Sequence, residues 1–192
     1  MAILSLTEYR TYAQYAVSDT GDDSLITAMI AAAENYVISV LGYDPSQATT
    51  SVEFAGHGRS TAYIGFLPIA ASPVPTLSYR SKPTDEYVGY TATEFALYVV
   101  GDSNYIYSMH GFSVGYQYKL TASIGYSSGT MPPTLKQAVY ELAYTLVTRI
   151  KDGTVNTVQI SNNLGSSGHS TQYADALNNC RTLISNFVQA TI

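Results

Sequence analysis

Gly125-Tyr126-Ser127-Ser128-Gly129 has the G-x-S-x-G spacing of a serine hydrolase, and Asp152 and His169 follow in the Ser, Asp, His chain order of that class. The chemistry would be acyl transfer, in which an oriented imidazole takes the serine proton while the oxygen attacks a carbonyl. Such a serine sits on a sharp turn that enters a helix at once, above a parallel strand covered on both faces. Here the preceding strand alternates and the helix waits for Pro132. After Ser127 come mainly two helices and a polar loop, with no later strands to carry the acid and the histidine. The motif reads as a turn, and no catalytic residue is expected.

The other reactive residue types are equally dispersed. His57 lies in a Gly-His-Gly turn, His110 precedes Gly111 and His169 is in the polar loop, so no two histidines have the helical spacing of a metal pair. Asp22-Asp23 reads as a helix cap and Asp85-Glu86 as loop solvation. Gly56-His57-Gly58-Arg59 lacks the lysine and helix start of a phosphate loop. Cys180 is the single cysteine, which excludes an internal disulfide or a cysteine metal cluster and points to a small buried hydrophobe. Neither a metal nor another cofactor is expected.

The elements around these residues are legible from period. Tyr116, Tyr118, Leu120, Ala122, Ile124 and Tyr126 alternate as in a strand with one buried face; beyond Pro132-Pro133, the three-and-four spacing of Leu135, Ala138, Val139, Leu142, Leu146 and Ile150 is that of a helix face. Proline suits the start of that helix, where its missing N–H would be unpaired anyway. At the other end of the chain, Ser5 and Glu8 have capping-box spacing for a short helix carrying Tyr9 and Tyr12. A second helix, capped by Asp22 or Asp23, carries Ile26, Met29, Ile30, Ala33, Val37, Val40 and Leu41 and stops at Gly42.

Between the helices the signals are strands and turns. Val52 and Phe54, then Ala62 and Ile64, are expected to form a hairpin about Gly56-His57-Gly58. Pro68, Pro73 and Pro75 place the strand near Leu77 at an edge. Phe95 to Val100 and Tyr105 to Met109 form a second hairpin, while 81–93 and 110–115 read as loops. The segment Gly153 to Gln172, rich in Ser, Asn and Gly, has no apolar period and is either flexible or ordered by a neighbour. One apolar stripe runs from Tyr173 through Ala176, Leu177, Cys180 and Ile184 to Phe187 and Val188.

Taken in order, these elements resemble the head–tail connector (adaptor, or head-completion) proteins of tailed bacteriophages. The matching residues are the strand from Leu120 to Tyr126, then Met131-Pro132-Pro133 leading to Val139, and Glu141 to Ala143 continuing the helix. The Leu6-Thr7-Glu8 helix, Leu25-Ile26 and Ala31-Ala32-Ala33 in the second helix, Ser161 with Gly165, and Ser170 with Tyr173 also fit. The two ends of the chain match well and the β-rich middle loosely. The resemblance implies a ring, by family habit a dodecamer, that binds the portal protein, meets a tail or neck-completion protein and extends the channel for genomic DNA. It implies a virion protein of the capsid–tail neck, assembled in the host cytoplasm. It places Phe187, Val188, Gln189 and Ile192 as portal-interface candidates, and Asn162, Asn163, Ser170, Tyr105 and Tyr107 as subunit or neck-interface candidates.

Composition is compatible with that role. Charged residues make up 12% of 192 residues, about half the usual share, while tyrosine occurs 18 times and tryptophan never. Few charges and many amphipathic rings suit either a surface that becomes covered or a tyrosine-rich sheet facing water. A net charge of −5 with scattered cations argues against a protein that grips nucleic acid, so DNA would pass without sequence-specific binding. No signal peptide is recognisable and no apolar run approaches membrane-spanning length, so no membrane partner is expected.

The fold expected is α+β: helices in 1–49 and 131–192 form a bundle, and 50–130 is an inserted antiparallel β-rich lobe. The alternatives from other classes are a tyrosine-rich β module, possible as a glycan binder because sugar CH faces stack on rings, and the serine hydrolase.

Overall fold

A computed structural model of the chain describes residues 2–16, 18–100, 103–152 and 169–188. The fold is α+β, with helices from both ends of the chain and an antiparallel β lobe inserted between them. It divides into two compact units, residues 45–127 and residues 2–44 with 128–192.

In the helical unit, α1 (Leu6–Tyr12) begins on the expected capping box: the Glu8 N–H donates to Ser5 Oγ, and the Ser5 N–H donates to Glu8 Oε2 at 2.9 Å. Burial raises the Glu8 pKa, but the Lys136 ammonium bonded to it and the Ser5 groups outweigh that and hold it below the usual carboxylate value. Arg10 fastens the connection that follows. Its guanidinium reaches both carboxylate oxygens of Asp23 at 3.1 Å and also donates to the carbonyls of Ala16 and Asp19. Helix α2 (Asp23–Leu41) buries Ile26, Ile30, Ala33, Val37 and Leu41 and ends on Gly42 in the left-handed region. Asp22 is its N-cap residue, but its side chain makes no capping bond; the carboxylate pairs with Lys151 instead. Contrary to the sequence expectation, α2 is long and apolar enough to cross a membrane by length and composition. Here its apolar stripe packs on α3 (Pro133–Lys151) and α4 (His169–Ile184).

Helix α3 buries Leu135, Ala138, Val139, Leu142, Ala143 and Val147, whereas Leu146 and Ile150 are only half-buried. Repeated four-residue steps advance 400° and drift round the helix, so the buried stripe shifts to Ala143 and Val147. On α4, Ala176, Cys180 and Ile184 are buried. Burial, followed by the Glu141 charge, pushes the Cys180 thiol up to about 11, consistent with a packing role.

The lobe holds two sheets. One has the order β1 (Ala48–Ala55), β7 (Gln117–Ile124), β3 (Thr76–Arg80), β4 (Val88–Gly89); the other has β2 (Thr61–Gly65), β6 (Ser103–Ser108), β5 (Phe95–Val100). All named strand pairs are antiparallel. Ala62 and Ile106 from one sheet and Leu77, Tyr118, Leu120 and Ala122 from the other meet in one core with Phe112. The expected β5–β6 hairpin is present. The expected β1–β2 hairpin is not, because β1 pairs with β7 and β2 with β6. What lies between β1 and β2 serves Phe112: the Gly58 N–H donates to its carbonyl and its own N–H donates to Arg59 O. Gly56 must lack a side chain, since a Cβ there would lie 1.9 Å from Ser113 O. Nor is β3 an edge strand; its prolines precede it, and β4, inside the expected 81–93 loop, covers its outer side.

Two predictions follow from the helical unit. Leu142 is 1% exposed, so Leu142→Ala should cost about 2–5 kcal/mol, read as a lower denaturation midpoint; an unchanged melt would remove α3 from the core. Glu34 Oε1 accepts the N–H groups of Ile3 at 2.6 Å and Leu4 at 3.0 Å. Burial raises its pKa above 4.5, more than these two bonds lower it. A raised carboxyl value means the folded state holds its proton longer, so the contribution is present at low pH and lost as pH rises through the window above 4.5. Glu34→Gln should abolish that slope and be at least as stable at neutral pH. Glu34→Ala should lose about 1–3 kcal/mol by leaving the N–H groups unpaired; urea melts across pH test both.

Candidate functional site

Alternation along β6 sends Ile106 inward and Tyr105 and Tyr107 outward. Register then assembles a face that spans all three strands. Tyr105 lies opposite Tyr63 of β2 and Tyr98 of β5, and Tyr107 lies opposite Thr61 and Ala96. The rings touch: Tyr63 meets Tyr105 edge-on at 5.7 Å between centroids, and Tyr98 stacks on Tyr105 at 5.6 Å. Cross-strand contacts of this kind are worth about 0.2–1 kcal/mol each.

The face remains open nevertheless. Tyr63 is 51% exposed, Tyr107 42% and Tyr98 37%. Each ring offers about 150–250 Å² of contact area with few rotatable bonds and a polar tip. None of the positions Thr61, Tyr63, Ala96, Tyr98, Val100, Ser103, Tyr105 and Tyr107 is charged, so covering the face would desolvate no ion. A register shift between Tyr63 and Gly65 interrupts the β2 edge, a device that discourages indiscriminate strand addition.

The structure thus brings the two sequence-identified residues Tyr105 and Tyr107 onto one face and adds Tyr63 and Tyr98. The added pair could have been found from side-chain parity once the β2–β6–β5 register was known. Ser170 is the second residue of α4, far along the chain from this face. Asn162, Asn163, Gln189 and Ile192 lie outside the described residues. The C-terminal apolar stripe does not continue as helix to Val188. Helix α4 stops at Ile184 and a 3-10 turn, Ser185–Phe187, follows. Phe187 is half-buried and its carbonyl accepts from the Tyr43 hydroxyl at 2.9 Å, while Val188 is exposed.

The G-x-S-x-G segment follows a strand that is antiparallel to both its neighbours, which is not the setting of a nucleophile elbow. The Gly125 N–H donates to Pro68 O and the Tyr126 N–H to Pro45 O, so the backbone ahead of Ser127 stays tied to the lobe, and α3 begins only at Pro133. Asp152 caps the C-terminus of α3, its N–H bonded to Thr148 O. His169 is the first residue of α4.

An antiparallel lobe inserted between helices, bearing an open and uncharged aromatic face, defines an α+β protein. Residues 2–149 match the family model described as head completion protein, and the chain belongs to that family. In fold it is similar to a chain in the neck of an empty gene transfer agent particle computed with C6 symmetry, with 12% identity, a TM-score of 0.58, and coverage of 99% of this chain and 91% of the other. A chain of the native gene transfer agent virion gives 13% identity, a TM-score of 0.58 and the same coverages. None of the curated proteins compared matches. The connector resemblance carried by the Pro132-Pro133 helix and the N-terminal helices is thereby confirmed at the level of family.

The setting of Ser127, after a strand that is antiparallel to both its neighbours, predicts that an active-site phosphonate will not label it. Stoichiometric phosphonate adduct at Ser127, read by mass spectrometry, is the contrary result.

Proposed function

We propose that this chain is a structural neck protein of a tailed-phage-type particle: an adaptor that closes into a ring, docks on the portal, continues the DNA channel and presents a platform to a tail or neck-completion protein. The observation that carries the proposal is membership of the head completion family over residues 2–149. Similarity in fold to a chain from a neck solved with C6 symmetry supports a ring, for which twelve copies is the stoichiometry we favour. The working location is then the virion neck, after assembly in the host cytoplasm.

The tyrosine face supplies a physical basis for closure. A ring needs a heterologous contact in which one patch meets a different patch on the next copy, and an aromatic face without charge can be covered at little desolvation cost. In this reading Tyr105 and Tyr107, with Tyr63 and Tyr98, meet the neighbouring subunit. Phe187 and Val188, together with Gln189 and Ile192, approach the portal. Asn162, Asn163 and Ser170 belong to the subunit or neck contacts.

The cations favour passage of DNA over gripping it. Arg10, Lys136 and Lys151 are each paired with a carboxylate. Arg80 and Lys119 lie over the Tyr87 ring, each 4.7 Å from its centroid. Cations spent in this way do not form the clustered stripe that phosphate binding requires.

The double variant Tyr63→Ser, Tyr107→Ser should stay folded, losing about 1 kcal/mol from the cross-strand contacts. Mixed with its portal and viewed by electron microscopy, the wild type should add a ring of density at the DNA-exit vertex and the folded double variant should add markedly less. Equal ring occupancy would move the subunit contact away from this face, and no added density with the wild type would overturn the adaptor role.

A further inference from the structure

A second aromatic feature of the lobe is a cavity of about 320 Å³ lined by Tyr79, Tyr90, Tyr116 and Tyr118 together with Glu94 and His110. The rings form a connected cluster. Tyr79 meets Tyr90 edge-on at 5.2 Å and Tyr116 at 5.9 Å, and Tyr118 is 6.3 Å from both Tyr79 and Tyr90. No lysine or arginine is among the lining residues.

Several polar groups of the cavity are already committed. The Tyr118 hydroxyl accepts the Ser113 N–H at 2.8 Å and is bonded to the Tyr90 hydroxyl. Burial, then Tyr118, pushes the Tyr90 phenol up to about 12, so it stays neutral. Glu94 Oε2 accepts both the N–H and the hydroxyl of Thr91, at 2.7 and 2.6 Å, which fixes the carboxylate. Those two bonds, more than the His110 contact, hold Glu94 below the usual carboxylate range and keep it ionised. Oε1 lies 3.3 Å from His110 Nε2, whose side chain is 60% exposed.

What the cavity offers is a mostly polar wall that includes tyrosine rings, and one anchored negative oxygen. An anion would meet Glu94. A cation gains from both features, because ring quadrupoles attract positive charge and a fixed carboxylate pairs with it. We propose that this cavity binds the side chain of a lysine or arginine presented by another protein, with the tyrosine rings around the alkyl stem and Glu94 Oε1 on the charged head. The cavity lining includes none of Tyr63, Tyr98, Tyr105 and Tyr107, and the site does not depend on the ring proposal.

The test is a titration of the full chain with Nα-acetyl-lysine methylamide and Nα-acetyl-arginine methylamide, followed by ring resonances of ¹³C-labelled tyrosine. Nα-acetyl-norleucine methylamide and methyl glucoside serve as uncharged probes. Saturable shifts confined to the cavity tyrosines at millimolar lysine or arginine probe, and about tenfold weaker binding in Glu94→Gln, are expected. Tyr116→Leu, which removes a half-buried ring, should weaken binding while the spectrum elsewhere remains that of the folded protein. Equal binding of the norleucine probe, preference for the glucoside, or unchanged affinity in Glu94→Gln would each overturn the proposal.

Discussion

At Gly125 there is no room for a side chain. A Cβ would lie 2.6 Å from Ser46 O, and φ is +111°, which other residues rarely adopt. This bare position lets the backbone leaving β7 pass against the backbone approaching β1. The Gln47 N–H can then reach Tyr126 O, and the Tyr126 N–H can reach Pro45 O. With β7 held at that end, β1 pairs along one side and β3 along the other. Tyr118, Leu120 and Ala122 are thereby aligned beneath Ile106 and Ala62. The outward tyrosines of β6 owe their direction to its own register with β2 and β5, since a slip by one residue would bury them and expose Ile106.

Local signals were read well where local physics decides. The Ser5 and Glu8 box, the Ile26 to Leu41 stripe, the Pro133 helix start, the alternation of β7 and the β5–β6 hairpin all depend on residues within a few positions of each other. Pairing across distance was not legible. Val52 and Phe54 alternate in the same way whether their partner is β2 or β7, so proximity in sequence favoured the wrong strand. Pro73 and Pro75 announced the start of β3, not its place in the sheet, and a two-residue partner such as β4 leaves almost no pattern. Asp22 looked like a cap because an acidic residue before a helix usually is one; the distant Lys151 competes for it. Glu34 carried no signal at all, since its partners are two N–H groups of the N-terminal segment.

Of the aromatic face on β6, Tyr105 and Tyr107 were visible in the sequence, whereas Tyr63 and Tyr98 required the register. The excess of tyrosine resolves into distinct uses. Tyr9 of α1 is buried against Tyr140 of α3 with centroids 5.5 Å apart, while Tyr12, 5.1 Å from the same ring, is half open to solvent. Tyr79, Tyr90 and Tyr118 line a cavity, and Tyr63 and Tyr107 stand in water. Phenylalanine could serve the first use, but on an open face a hydroxyl tip keeps the ring hydrated.

The bridge between Ser46 and Tyr126 has a consequence for how such proteins diversify. Because the lobe begins and finishes at adjacent points of backbone, its replacement by a longer, shorter or unrelated sheet asks no change in the span the helices must tolerate. Recombination between genes can then exchange one lobe for another as a cassette while inheriting the helical frame intact.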